Sequence, residues 1–582
     1  MDLKATRNTT HMIYQWFTRS EAVTETVSEP ARRPPCPCRA PSSLPCGTPE
    51  SQGIKSGYIL DYFNRLRCEP TVKMQTVTVV RNGIKLACGE FFPYGADIMH
   101  VSHSMCKSLT GLGFGLLCDD GIADTEMTVA DVFSSELNPI TRQIHRGVKM
   151  KHLLNMSTGA RFNETGSVSE TEWIKAYLES GYKFRPGSAF EYNSMNTYMI
   201  SAAVKKLSGK SLFDLLNERI FKPLGITDIY WEKSPEGIEK GGWGLYFFPD
   251  DMLKIGQLYL SGGVWEGKRL ISEDWIKRST KKQITTPKKS GEFDYGFQIW
   301  CRDDGSEYLF NGMFGQNLIV FPRINLMVLT TAGTDEIFQS SQIYKVTDRF
   351  FGGGFRPDAD LCEDPEAVKA LRYAEKRLVM RGTDAQTVCG AVAAPDPDLL
   401  RGFAGDYTVD EKDGFGISVM PELYQGVHNN FAKGLTSLSL SFSGGGGTLK
   451  TVEGETAYEI PFGFTYAAPS CLEYGGEKIL VSAYAVYHGG EDPFLRITVC
   501  FPELPNVRYI TVRQSDSDIS TTWEESPGYD FLSELLRDFV FGNTDPVFAD
   551  ALKGLSSFDF LERRIKYFLK PELTAVRAGQ VQ

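Results

Sequence analysis

The chain has 582 residues, a length that calls for several domains rather than one core. Its 42% hydrophobic and 23% charged residues suit a globular protein, and a net charge of −11 without a basic patch excludes nucleic acid as an expected partner. No apolar run approaches the roughly 18 residues of a membrane span, and the N-terminus lacks the apolar heart of a secretory signal. No membrane partner is expected, and the chain reads as cytoplasmic.

Residues 1–48 are rich in proline and small polar residues and read as a flexible tail. Cys36, Cys38 and Cys46 lie there without an obvious fourth ligand, so no metal and no cofactor are expected. The twelve cysteines are scattered and read as reduced thiols rather than a disulfide framework. Ordered structure follows. Residues 75–80 and 84–88 are strand-like, and Asn82-Gly83 between them is a strong hairpin signal.

Helical patterns come next, near 104–120, 170–181 and 194–221. The first begins with Ser104-Met105-Cys106-Lys107. Positions i and i+3 share a helix face, so the lysine amine stands one turn above the serine hydroxyl. A serine with an amine neighbour can become a nucleophile without histidine. Ser180/Lys183 and Ser279/Lys282 repeat the spacing, but one sits in a turn and the other in a basic, polar run. Only Ser104 heads an apolar helix. Gly111, Gly113 and Gly115 each cost that helix ~1 kcal/mol against alanine, which points to close backbone packing in a core. Tyr192-Asn193-Ser194 follows the Pro186-Gly187 turn and presents a phenol and a hydroxyl from a loop.

Strand signals return at 318–321 and 326–330. Strands early, helices in the middle and strands late suggest one antiparallel sheet assembled from both ends, with helices packed on it. Residues 356–398 read as a connecting segment, 399–515 as an all-β accessory domain, and 516–582 as a helical C-terminal segment.

Ser104-x-x-Lys107, Tyr192-Asn193-Ser194 and a later glycine-containing segment together resemble the serine β-lactamase-related family. That family includes class C β-lactamases, DD-peptidases and family VIII carboxylesterases. Residues 49–54, 151–159, 221–226 and 241–245 resemble further phrases of it, and the resemblance covers 49–355. It implies an α+β fold: a β-lactamase/transpeptidase-like antiparallel sheet flanked by helices. The family's third motif, Lys or His, any residue, then Gly, corresponds to Phe310-Asn311-Gly312. Phe310 stands where the family's cation holds a substrate carboxylate, which resembles the esterase-like branch and weighs against β-lactam and D-Ala-D-Ala substrates.

The resemblance implies Ser104 as nucleophile, Lys107 and Tyr192 as coupled general base, and the backbone N–H groups of Ser104 and Met313, just after Gly312, as oxyanion donors. Ser194 is expected to orient substrate or Lys107. The seven histidines supply a check: none lies between 152 and 428, and His103 cannot easily face its neighbour Ser104. His100 and His103 still leave a Ser-His-Asp triad open. The expected activity is hydrolysis of small-molecule esters or amides through an acyl-enzyme. A β-lactamase or D-amino-acid peptidase on the same fold, and a non-catalytic sensor or binding protein, are the alternatives.

Overall fold

The computed structural model describes residues 14, 16–19, 44–167, 170–287, 292–336, 341–428, 430–515, 518–533 and 557–578. The described residues form two compact units, one within Val27–Ala332 and Glu336–Leu378, the other within Met1–Thr26, Gly333–Asp335 and Val379–Gln582. None of the described helices is long and apolar enough to cross a membrane. The ten described cysteines, Cys46 among them, are free thiols, and Cys36 and Cys38 lie outside the described residues.

In the first unit, α1 (Ser56–Arg67) buries Ile59, Tyr62, Phe63 and Leu66, the one-face spacing of an amphipathic helix. Strands β1 (Met74–Arg81) and β2 (Ile84–Glu90) form the hairpin. Asn82 and Gly83 sit at φ 51° and 76°, as a two-residue primed turn needs. Helix α2 (Lys107–Asp119) is buried along nearly its whole length. Its glycines let neighbours in: a Cβ at Gly115 would overlap the Trp275 ring, and one at Gly113 would overlap Leu212.

Helices α3 (Trp173–Glu179) and α4 (Ser194–Ser208) follow. The helix expected over 194–221 is broken: Gly209 ends α4 at φ 72°, and Ser211 caps a new start at Leu212. Helix α5 (Pro249–Leu260) precedes β3 (Asp294–Tyr295), β4 (Trp300–Cys301), β5 (Tyr308–Gly312), β6 (Gln316–Phe321) and β7 (Leu326–Ala332).

The antiparallel sheet runs β2-β1-β7-β6-β5-β4-β3. The early strand β1 pairs with the last, β7, with Val79 opposite Val328. One sheet face carries Val80, Phe310, Leu318, Val320, Met327 and Leu329 into the apolar core shared with α2, α4 and α5. The terminal helices α6 (Gln342–Phe351) and α7 (Pro365–Glu375) pack with α1: the Tyr62 hydroxyl meets Thr347 Oγ1 at 2.8 Å, and Glu375 accepts from the Cys88 N–H at 2.9 Å. Residues 364–378, read from sequence as connector, therefore belong to this unit.

The second unit is a closed barrel. Its strands are β8 (Gly405–Val409), β9 (Leu435–Ser443), β10 (Gly446–Glu453), β11 (Thr456–Gly463), β12 (Ala468–Tyr474), β13 (Glu477–His488), β14 (Phe494–Cys500), β15 (Val507–Ser515), β16 (Asp518–Ser526) and β17 (Glu572–Arg577). The order is β11-β10-β9-β8-β17-β16-β15-β14-β13-β12, and Gly463 of β11 meets Tyr484 of β13 to close the ring.

Two expectations need correction. The segment 516–582 is not simply helical: it gives α8 (Ser557–Leu569) but also β16 and β17, which lie between β15 and β8. Alternate residues Ile519, Thr521, Trp523 and Glu525 are buried, the period of a strand. The tail expected over 1–48 also fails at its described residues. Trp16, Phe17 and Arg19 are buried in the second unit, and Cys46 bridges to Lys85 in the first.

Candidate active site

The turn that carries Ser104 is fixed from both sides. The short strand His100–Val101 pairs with Leu245–Phe247, and the Ser102 N–H donates to Leu245 O at 2.7 Å. The chain then turns sharply: His103 lies at φ 46°, in the left-handed region that non-glycine residues avoid. A 3-10 turn, His103–Cys106, runs straight into α2. Lys107 Nζ consequently stands over Ser104 and donates to its Oγ at 2.8 Å.

Lys107 is 1% exposed, and its second bond goes to the Gly242 carbonyl at 2.7 Å. Three lysines are buried among the described residues: Lys107, Lys240 and Lys254. Lys240 pairs with Glu232 at 2.6 Å and Lys254 with Asp251 at 2.9 Å. Lys107 alone of the three has no carboxylate partner; a hydroxyl, a carbonyl and an aromatic face surround it. Burying an amine without a carboxylate partner is costly.

The Gly241-Gly242 segment makes this contact possible. Cys106 Sγ and Thr110 Oγ1 both donate to Gly241 O, at 3.3 and 2.8 Å. A Cβ on Gly242 would stand 3.0 Å from Ser194 Cβ and 3.5 Å from Lys107 Nζ. Any side chain there would press on Ser194 and crowd the lysine.

The loop carrying Tyr192 is pinned by main-chain bonds, Gly187 N to Ser157 O at 2.7 Å and Glu191 N to Met156 O at 2.9 Å. The Tyr192 ring lies over Lys107 Nζ, 4.9 Å from its centroid, and stacks on Trp300 at 5.9 Å. The ring face, not the hydroxyl, meets the amine in this arrangement. Asn193 caps α4 by accepting from Met195 N, and its amide donates to the carbonyls of Ala160 and Phe162. Ser194 is buried, with its N–H donating to Glu164 Oε1 at 2.6 Å.

Gly312 ends β5 against the Ser104 turn. A Cβ there would run into Ser102 O and lie 3.2 Å from Met105 N. Met313 begins the next turn, and Phe314, at φ 66°, sets its ring edge-on to His103 at 5.1 Å. Phe310 departs from its expected place beside a substrate. It is fully buried in the apolar core, edge-on to Tyr259 at 5.0 Å, so it presents no surface to a ligand. The strand alternation that sends Tyr308 and Phe310 into the core leaves neither a cation nor an aromatic wall at that position.

No histidine bonds to Ser104 among the described residues. His100 Nε2 contacts Gly95 O at 3.3 Å, and burial holds the His100 ring down to about 4. Burial likewise pushes His103 down to about 4, with Glu232 opposing and Lys107 assisting, so the ring is neutral near pH 7. His103 Nε2 is buried without a hydrogen-bond partner. Nothing in the sequence pointed to Glu164 or to the Gly242 carbonyl. The Gly241-Gly242 pair was visible as a motif, but nothing local tied it to a lysine 135 positions away.

Residues 76–337 match the family described as Beta-lactamase. The chain carries a serine β-lactamase-related domain. A curated relative of this domain, the 6-aminohexanoate-dimer hydrolase of Paenarthrobacter ureafaciens, is 22% identical over 266 residues, 40% of this chain and 66% of that protein. Among solved structures, D-amino acid amidase from Ochrobactrum anthropi aligns at 17% identity and TM-score 0.39, covering 55% of this chain and 98% of its own. The octameric penicillin-binding protein homologue from Pyrococcus abyssi aligns at 15% identity and TM-score 0.37, covering 80% of this chain and 96% of its own. In this β-lactamase-related domain, Ser104, Lys107, Tyr192, Ser194 and Gly312 gather around one turn.

Proposed function

We propose that the first unit is a serine hydrolase that cleaves small amides and esters through an acyl-enzyme on Ser104. The observation that carries this reading is the buried Lys107, paired with no carboxylate and 2.8 Å from Ser104 Oγ. The Lys107 amine takes the hydroxyl proton as Ser104 Oγ bonds to the substrate carbonyl carbon. Tyr192, whose ring covers the amine, joins as a base once its hydroxyl turns toward Ser104. The leaving amine or alcohol departs with that proton. Water then adds to the acyl carbon and releases the acid and free Ser104.

The oxyanion is held by the N–H groups of Ser104 and Met313. Ser104 lies in the first turn of a helix, where N–H groups lack intrahelical partners, and Gly312 brings the start of the Met313 turn beside it. Phe310 supplies no cation for a substrate carboxylate, which favours neutral acyl groups over penicillins. The curated relative is named for hydrolysing a 6-aminohexanoate dimer, an amide, which supports including amides here.

A panel of neutral esters, amides and a penicillin, run on the wild type and on Ser104→Ala, tests the reading. Ester and amide turnover is expected to exceed penicillin turnover, and Ser104→Ala is expected to lower it at least ~10³-fold with the fold intact. Undiminished turnover in Ser104→Ala would end the proposal. No turnover of any substrate by folded wild type would favour a binding protein.

A further inference from the structure

The barrel contains a buried acidic site that its own strands leave unfilled. Glu422 lies on the helix Glu422–His428, and its side chain is fully buried. Both carboxylate oxygens accept from Arg19 Nη2 at 3.0 Å, and Oε2 also accepts from Trp16 Nε1 at 3.0 Å. The Arg19 guanidinium lies 3.9 Å over the Phe568 ring and 5.2 Å from the Phe431 ring, while Nη1 reaches Gln425 Oε1 at 3.5 Å. Phe17 stacks on Phe568 from the same segment, with centroids 6.3 Å apart. Every described partner of the Glu422 carboxylate thus comes from residues 16 and 19, about 400 positions away in sequence.

The other buried cation beside it is already committed. Arg508 faces Glu525 at 3.3 Å and donates to the carbonyls of Ser418 and Met420. Glu525 in turn accepts from the Glu422 backbone N–H at 2.8 Å, so Glu422 has its position fixed but not its charge balanced by the barrel. Gly416 lines the same site: a Cβ there would stand 2.6 Å from the Phe568 ring and 2.7 Å from Arg19 Nε. A fixed carboxylate, two aromatic faces and a glycine-cleared floor are the parts of a guanidinium receptor.

We infer that the barrel is a recognition module for an arginine-bearing aromatic segment, and that residues 16–19 are its exchangeable occupant. The segment binds as a ligand supplied in cis. Trp16 and Phe17 contribute the apolar contact, and Arg19 supplies the charge that makes burial of Glu422 tolerable. Weakening the resident arginine opens the site to the same segment offered in trans.

The test uses the full chain and a fluorescein-labelled peptide of residues 12–21. An Arg19→Ala chain is expected to bind the peptide at least about tenfold more tightly than the wild-type chain, whose site is filled. The same peptide carrying Arg19→Ala is expected to lose that binding, and Glu422→Gln added to the Arg19→Ala chain is expected to abolish it. Should Arg19→Ala unfold the barrel, the wild-type peptide is expected to raise its melting temperature and restore its near-ultraviolet signature. Equal binding by both chains, indifference to the peptide's arginine, or no rescue of an unfolded variant would each overturn the inference.

Discussion

Lys107 and Arg19 are both buried cations, and the two units hold them in opposite ways. Arg19 meets both oxygens of a buried carboxylate and lies against two aromatic rings. Lys107 meets a hydroxyl, a carbonyl and one ring, with no carboxylate among the described residues. Full charge pairing locks a cation in place, because removing either partner strands the other. Dipoles and a ring hold the Lys107 amine in position without a counter-charge. The first arrangement suits recognition and the second suits chemistry.

That contrast can be broken by mutation. Lys107→Met is expected to lower ester turnover at least ~10³-fold while leaving the melting temperature unchanged or raised, since an unpaired buried charge is replaced by an apolar chain of similar length. A large loss of stability would mean that Lys107 is structural. Arg19→Ala is expected to do the reverse, costing the second unit about 3–5 kcal/mol in a denaturant titration by stranding Glu422. A cost below about 1 kcal/mol would show the pair to be dispensable.

Gly312→Ala sharpens the catalytic half. Its Cβ would collide with Ser102 O, so the end of β5 must retreat from the Ser104 turn. Turnover is expected to fall about 10²-fold, as when one oxyanion donor is displaced, with a stability cost of about 1–3 kcal/mol measured by melting.

The barrel's other acids give a pH signature. Burial raises Glu453 to about 7, against hydrogen bonds from Ser418 and Val419 and the charge of Arg508. A carboxyl whose folded value exceeds its unfolded value, ordinarily near 4.5, binds its proton more tightly when folded. Its contribution is therefore fully present below about 4.5 and is lost as pH rises through about 7. Melting of the second unit is expected to fall across that window, and Glu453→Gln to flatten the fall. The smallest effect belongs to His103→Gly, which relieves the φ 46° strain and removes a buried unpaired nitrogen. It is expected to raise stability by about 1 kcal/mol in the same melting assay.

Much of the catalytic unit was legible because its signals are local. The Ser104–Lys107 spacing, the Asn82-Gly83 hairpin and the glycines of α2 each declare their geometry within a few residues. The Gly242 carbonyl and the Glu164 contact with Ser194 were not legible, because they depend on long-range packing. Phe310 illustrates a different limit. Its motif position was readable, but the strand is buried on both faces, so the pattern could not say which face the ring would take. In the barrel, β16 is built largely from Ser, Thr and acidic residues and gave no apolar run to follow. Arg19 was hidden for the same reason as Gly242: its partner lies far along the chain.

The most direct test of the central claim is labelling with a fluorophosphonate probe followed by mass-spectrometric mapping of the adduct. The wild type is predicted to carry a single adduct on Ser104, and Lys107→Met, still folded, to carry none at matched time. Equal labelling of Ser104 in Lys107→Met, or an adduct on another residue, would contradict the assignment of Ser104 and Lys107 as nucleophile and base.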